Sequence, residues 1–195
     1  MVVNGVTRQA WIAVRLIVVG ALVLGVVYPL LVTGVGAVIA SGSAKGSLVE
    51  SDGEVVGSEL IGQNFEGDQW FQPRPSAAGA DGYDAMSSGG SNLGPNNEDL
   101  LAAVQERRAA VESQAGTGVF VPPDALTASG SGLDPHISPE YARLQVSRVA
   151  KANGLSEGAV AGLVDANTAG RQLGFLGEER VNVLLLNLAI ANARR

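Results

Sequence analysis

Between Leu16 and Ala40 the chain carries no charged residue. These 25 positions would make a helix of about 37 Å at 1.5 Å per residue. That exceeds a bilayer's hydrocarbon core of roughly 30 Å, so the run predicts a transmembrane span. It is rich in Val, Leu, Ile, Gly and Ala, with Tyr28 and Pro29 inside it. A proline is tolerated in a spanning helix when neighbours satisfy the freed carbonyl. Ala21 and Gly25 stand four apart, as do Gly36 and Ala40. Small residues so spaced let a second helix approach closely, although the spacing is also common in any apolar helix. Arg8 and Arg15 precede the run, and Lys45 is the only basic residue in the thirty positions after it. The positive-inside rule then places the N-terminus in the cytoplasm and the bulk of the chain outside, with membrane lipid as one partner of the chain. The competing interpretation is a cleaved signal peptide ending at Val38-Ile39-Ala40. The apolar run is longer than the 7–15 residues of a signal's hydrophobic region, which favours a retained anchor. The expected organisation is a cytoplasmic N-terminus at 1–15, a span at 16–40, a linker at 41–47 and an extracytoplasmic α+β domain at 48–195.

Beyond position 40 there are 19 acidic and 11 basic residues, a net charge of −8, against −6 for the whole chain. Such a chain lacks the basic surface that nucleic-acid binding requires. It has no cysteine and one histidine, His136. That excludes disulfide frameworks, thiolate metal sites and histidine-rich metal clusters.

Within the domain, Leu48–Glu50 and Glu54–Val56 flank Ser51-Asp52-Gly53, the pattern of a β-hairpin. Residues 57–96 are dense in Gly, Ser, Asn and Pro, with Trp70, Phe71 and Tyr83 as anchors, and predict a long ordered loop or short strands. Asn97 is positioned to cap a helix running to about Ser113. Val119–Val121 predicts a short strand stopped by Pro122-Pro123. Ser138-Pro139-Glu140 starts a helix that Gly154 ends, and Ser156-Glu157 starts another. The last apolar stretch, Val181–Ala193, contains Asn182 and Asn187. It is too short and too polar to span a bilayer and predicts a buried core element, in preference a helix.

A search for reactive groups finds little. Both lysines, Lys45 and Lys151, follow alanine, so there is no phosphate loop of the Gly-Lys-Ser/Thr type. For want of lysines there is also no Asp-Lys-Thr-Gly phosphorylation motif. Ser129, Ser131, Asp134 and His136 contain the residue types of a hydrolase triad. Four near neighbours in sequence rarely converge as a triad must, and no serine sits in a Gly-x-Ser-x-Gly elbow. The alternative is a turn at Asp134-Pro135 and a buried His136 with one polar partner. Ser88-Gly89-Gly90-Ser91-Asn92 could form a backbone nest for an anion, or simply a tight loop. Glu178-Glu179 predicts a solvated turn.

Several distinctive blocks occur in order along the chain. The first is Gly57–Gln63, including Gly62 and Gln63, followed by Trp70-Phe71 and by Arg74-Pro75-Ser76-Ala77. The second is Ser88 to Gly94-Pro95. The third runs from Leu126 to Pro139 and holds Ser129, Gly130, Ser131, Gly132, Asp134, Pro135, His136 and Ser138. The closing block joins Phe175-Leu176-Gly177, Arg180–Leu184 with Asn182, and Leu186-Asn187-Leu188. Together these blocks resemble the KdpC family; Tyr28-Pro29-Leu30 and Thr33-Gly34 are similar to that family's membrane helix, and Trp70 stands where tyrosine is usual. The resemblance implies a non-catalytic subunit of an ATP-driven potassium uptake complex. Its partners would be a potassium-channel-like subunit, a P-type ATP-hydrolysing subunit and a small helical subunit. The resemblance further implies that the chain stabilises the complex and raises the pump subunit's affinity for ATP, with ATP and potassium belonging to the complex and no cofactor held by this chain. It offers Ser88–Asn92 as a nucleotide-contacting segment, which conflicts with an extracytoplasmic domain. The alternative function is a stand-alone, membrane-anchored binding module or hydrolase.

Overall fold

A computed structural model describes residues 2–195, with side chains from residue 5 onward. The chain divides into two compact units, one ending at Leu48 and the other spanning Val49–Arg195.

The first unit is a long apolar helix. α1 (Val2–Leu22) passes through a π-helical turn (Val23–Val27) into α2 (Tyr28–Ile39). Gly5–Ile39 is apolar and long enough to cross a membrane. The turn lies where chemistry requires an irregularity. Pro29 has no N–H to donate and its ring crowds the preceding turn. Just before it, the Tyr28 N–H reaches back to the Val23 carbonyl, the wider i−5 pattern of a π-helix. Ala40, at φ −140°, breaks the helix. The segment expected as a plain linker instead opens with one helical turn, α3 (Ser41–Ala44).

The second unit mixes helices and strands. β1 (Leu48–Ser51) and β2 (Glu54–Ser58) form a two-stranded sheet. Asp52 and Gly53 both have positive φ, 54° and 84°. Two left-handed residues in a two-residue loop make the primed turn whose twist suits a hairpin. From residue 59 to 97 no regular element forms. α4 (Glu98–Ala115) begins where Asn97 Oδ1 accepts from the amides of Asp99 and Leu100, at 2.7 and 3.2 Å. It extends two residues past the expected end.

The strand expected at Val119–Val121 does not form. Val121 is buried and Phe120 points to solvent, so the backbone is extended, but it pairs with no neighbour. Pro122 has no amide to extend a ladder, and Pro123 opens the short α5 (Pro123–Leu126). β3 (His136–Ile137) leads into α6 (Pro139–Asn153), and α7 (Glu157–Ala166) follows. Gly154 ends α6 in the left-handed region, at φ +67°, as glycine does after a helix. β4 (Thr168–Ala169), β5 (Arg180–Asn182) and α8 (Val183–Ala193) complete the chain. The last apolar stretch is therefore a strand end followed by a helix. Asn182 marks the change, its side chain capping the Leu185 amide at 3.2 Å.

β5 is the middle strand of an antiparallel sheet ordered β3-β5-β4. Val181 pairs with Ile137 on one side and Thr168 on the other. The core gathers Ile137, Val149, Val160, Val164, Val181, Leu186 and Ile190 around Phe71, all essentially without solvent contact.

The α6 start is braced twice. The Ser138 hydroxyl accepts from the Tyr141 amide at 3.0 Å and donates to Asp124 Oδ1 at 2.9 Å. The Ser138 amide donates to Asp124 Oδ2. Ser138→Ala removes the cap and leaves an Asp124 oxygen with a lost partner. The expected outcome is a loss of about 1–2 kcal/mol in equilibrium unfolding of the full chain in detergent; an unchanged midpoint would refute this role.

Candidate functional site

The long loop owes its shape to side chains. Asn187, buried within α8, accepts from the Phe71 amide at 2.8 Å and donates to the Phe71 carbonyl at 3.0 Å. Gln145 on α6 does the same for Gln72, at 2.7 and 3.1 Å. Arg148 donates to the Asp68 carbonyl and Asn153 to the Gln69 carbonyl. Two carboxamides thus stand in for a neighbouring strand. A carboxamide offers one donor side and one acceptor side, as a peptide group does. Gln145 was not anticipated from the sequence. It lies on the inner face of α6 with Ala142, Val146 and Val149, and an amide at such a position is the signal that could have found it. Burial also pushes the Tyr141 hydroxyl on this face up to about 12.

Three loop segments then interlock. The Gly62 amide donates to the Leu133 carbonyl at 2.8 Å. The Ser76 hydroxyl donates to the Gly132 carbonyl at 2.6 Å and accepts from the amides of Ala78 and Tyr83. The Ser88 hydroxyl and the Gly89 amide both donate to the Ser131 carbonyl, at 2.9 and 2.8 Å. The approach is close enough to need glycine. A Cβ on Gly132, at φ +67°, would lie 2.6 Å from the Gly89 carbonyl oxygen and 2.7 Å from the Ala78 amide nitrogen. A Cβ on Gly62 would lie 2.7 Å from the Asp134 carbonyl oxygen.

Beside this knot lies an open groove of about 750 Å³ with Arg74, Asp134 and His136 in its lining. Arg74 meets Asp134 at 3.2 Å and His136 Nδ1 meets the other Asp134 oxygen at 3.2 Å. Partial burial works against the Asp134 charge. The His136 side chain and amide and the Arg74 guanidinium outweigh it and hold the carboxyl below its ordinary range. Asp134 also accepts from the His136 amide at 3.0 Å, so the turn expected at Asp134-Pro135 takes the form of a side chain closing on its own backbone. Pro135 is buried and its carbonyl accepts from the Val183 amide. The Tyr83 hydroxyl donates to the Arg74 carbonyl.

The structure pairs His136 with Asp134 but turns both serine hydroxyls of the candidate triad to other partners. Ser129 and Ser131 hydroxyls lie 3.3 Å from each other, and Ser131 Oγ accepts from the Leu133 amide. His136, expected to be buried, is half-buried and turns to Asp134. Among the described residues no hydrogen bond joins either serine to His136. In the Ser88–Asn92 segment, the Gly89 amide already has a partner in Ser131, and Gly90 backs onto Gly130. Ser91, Asn92, Gly94 and Pro95 are exposed, with Asn92 at φ +53°; the Gly94 carbonyl accepts from the Asn97 amide and leads into α4. Asn182 donates to the Glu59 carbonyl at 2.8 Å, tying β5 to the first loop. Gln63 donates to the Val56 carbonyl.

The family model for KdpC, the c chain of K+-transporting ATPases, matches residues 10–192. The chain belongs to the KdpC family. Among its relatives, a protein of Kineococcus radiotolerans named potassium-transporting ATPase KdpC subunit is 60% identical over 194 residues, covering 99% of this chain and 98% of the relative. Proteins of the same name from Gemmatimonas aurantiaca and Mycobacterium tuberculosis are 55% and 52% identical. The first alignment covers 87% of this chain and 85% of the relative, the second 94% and 97%. The blocks that resemble KdpC in sequence supply the interlocked loops, the Asp134 cluster and the Asn187 clamp.

The close approach at Gly132 sets apart two substitutions in this KdpC-family chain. Gly132→Val puts a β-branched residue at positive φ and into Gly89 and Ala78. It is expected to abolish recovery of folded chain with its complex. Ser131→Ala removes a hydroxyl but keeps the carbonyl that holds Ser88 and Gly89, and is expected to leave potassium-limited growth near wild type. Loss of transport by Ser131→Ala in a fully assembled complex would restore a chemical role for the serine.

Proposed function

We propose that this chain is the membrane-anchored, non-catalytic subunit of an ATP-driven potassium uptake complex, with its second unit outside the cytoplasm. The observation that carries this proposal is how the signature residues are used. Ser76, Ser88, Asn182 and Asn187 hold backbone groups of distant segments, and the Ser131 hydroxyl holds the Leu133 amide of its own turn, which is the work of a rigid scaffold. The relatives' name, potassium-transporting ATPase KdpC subunit, supports the assignment to a pump. Arg8 and Arg15 ahead of the span, with an acidic unit after it, support the orientation.

The partners in this proposal are a potassium-channel-like subunit, a P-type ATP-hydrolysing subunit and a small helical subunit. The chain assembles and stabilises them and raises the hydrolysing subunit's affinity for ATP. With the second unit outside, that effect is a coupling free energy passed through the membrane subunits and not a direct contact with nucleotide. A tenfold rise in affinity would correspond to about 1.4 kcal/mol of coupling.

Two measurements test the proposal. ATP titrations of the complex with and without this chain are expected to show weaker apparent ATP affinity in its absence, and no turnover by the chain alone; hydrolysis by the isolated chain would defeat it. Protease added to intact spheroplasts is expected to cut near Met86, which is 95% exposed. Cleavage only after lysis would reverse the topology and return Ser88–Asn92 to reach of cytoplasmic ATP.

A further inference from the structure

The connection between β4 and β5 carries its largest side chains outward. Leu173 is 83% exposed, Phe175 69% and Leu176 48%. The tip is nonetheless ordered by its own backbone. Gln172 and Leu176 exchange both amide–carbonyl bonds at 2.9 Å, and the amides of Gly174 and Phe175 close back onto Arg171 and Gln172. Leu173 sits in the left-handed region at φ +53°. A leucine gains nothing from that conformation, and holding a non-glycine there costs on the order of 1 kcal/mol or more. Leucine and phenylalanine are thus displayed on a fixed turn, away from the core.

The surroundings say what such a knob would meet. Glu178 and Glu179 follow it after Gly177 and line the groove together with Phe120, itself 79% exposed. Asp124 and Glu140 add two more carboxylates to the same groove. On the basic side stand Arg180, Arg74, already paired with Asp134, and Arg171, exposed at the base of the hairpin, fewer than the carboxylates they face. The surface is therefore apolar at its projections and negative around them. A negatively charged lipid surface would repel Glu178 and Glu179. A second copy of this chain would bring the same acidic surface against itself.

We infer that the hairpin tip at 173–176, with Phe120 and the acidic groove beside it, is the surface on which this unit docks to another subunit of the complex. The receiving surface is a polypeptide cavity that takes the Leu173 and Phe175 side chains and is edged with lysine or arginine. This rests on the functional assignment above and adds to it the site and chemistry of the contact. Exposed apolar groups of this kind mark interaction sites when a rim of charge surrounds them.

The chain contains no cysteine, so Phe175→Cys gives a unique handle. The full-length variant, labelled with benzophenone maleimide and assembled in native membranes, is expected on illumination to join a peptide of a partner subunit that bears lysine or arginine. Adducts to lipid, adducts to a second copy of this chain, or no adduct in an assembled complex would each overturn the inference. A second arm uses Leu173→Asn with Phe175→Ser. Asparagine accepts the left-handed conformation, so the turn is kept while the apolar knob is lost. The Kd of the full chain for the remaining subunits in detergent is expected to rise at least tenfold, and to rise likewise for Glu178→Lys with Glu179→Lys. An unchanged Kd overturns the inference while leaving the functional assignment intact. Failure of the wild-type chain to assemble would overturn both.

Discussion

Two buried carboxamides hold together what would otherwise be two separate things, a helical core and the long loop from residue 59 to 97. Phe71 is fully buried, and its backbone N–H and C=O go into the interior with it. An unpaired peptide group there would cost about 1–3 kcal/mol. Asn187 meets both groups of Phe71, and Gln145 meets both groups of Gln72. The phenyl ring can then sit fully buried in the core cluster. Once this anchor is set, the chain on either side has fixed starting points, and the segments carrying Gly62, Ser76 and Ser88 arrive beside 129–134.

The interlocked loops explain why the conspicuous serines and glycines belong to architecture. The β3-β5-β4 sheet has only two- and three-residue strands, so few backbone groups of the neighbouring loops find partners in its ladders. Short polar side chains supply the missing partners, and glycine supplies the room. The same economy sets the Asp134 cluster. One carboxylate receives Arg74, the His136 ring and the His136 amide, which fixes the entry to β3 and, through Pro135, the start of α8.

Local signals in the sequence were clear wherever structure is made locally. The Asp52-Gly53 turn, the caps at Asn97, Ser138 and Ser156, and the left-handed stop at Gly154 each involve residues within a few positions of one another. What depended on distant partners was not. Val119–Val121 has strand composition, yet it joins neither sheet, and Pro122-Pro123 stop it at once. His136 has a partner two residues away but is only half covered, because burial is decided by the packing of other segments. The Gln145–Gln72 clamp joins positions 73 apart, and nothing near Gln72 announces it. The chain's family membership was legible because several ordered blocks carry it together, whereas the role of each block required the contacts between them.

The π-helical turn has a geometric consequence for the membrane helix. Successive residues of an α-helix are set about 100° apart around its axis. A π turn acts as one extra residue in the winding, so α2 is rotated by roughly that angle from where a straight continuation of α1 would place it. The side chains that form one stripe on paper are two stripes, out of phase at Val23–Val27. A neighbouring helix lying along the stripe of α1 runs off the stripe of α2, and one that follows both must itself bend or cross.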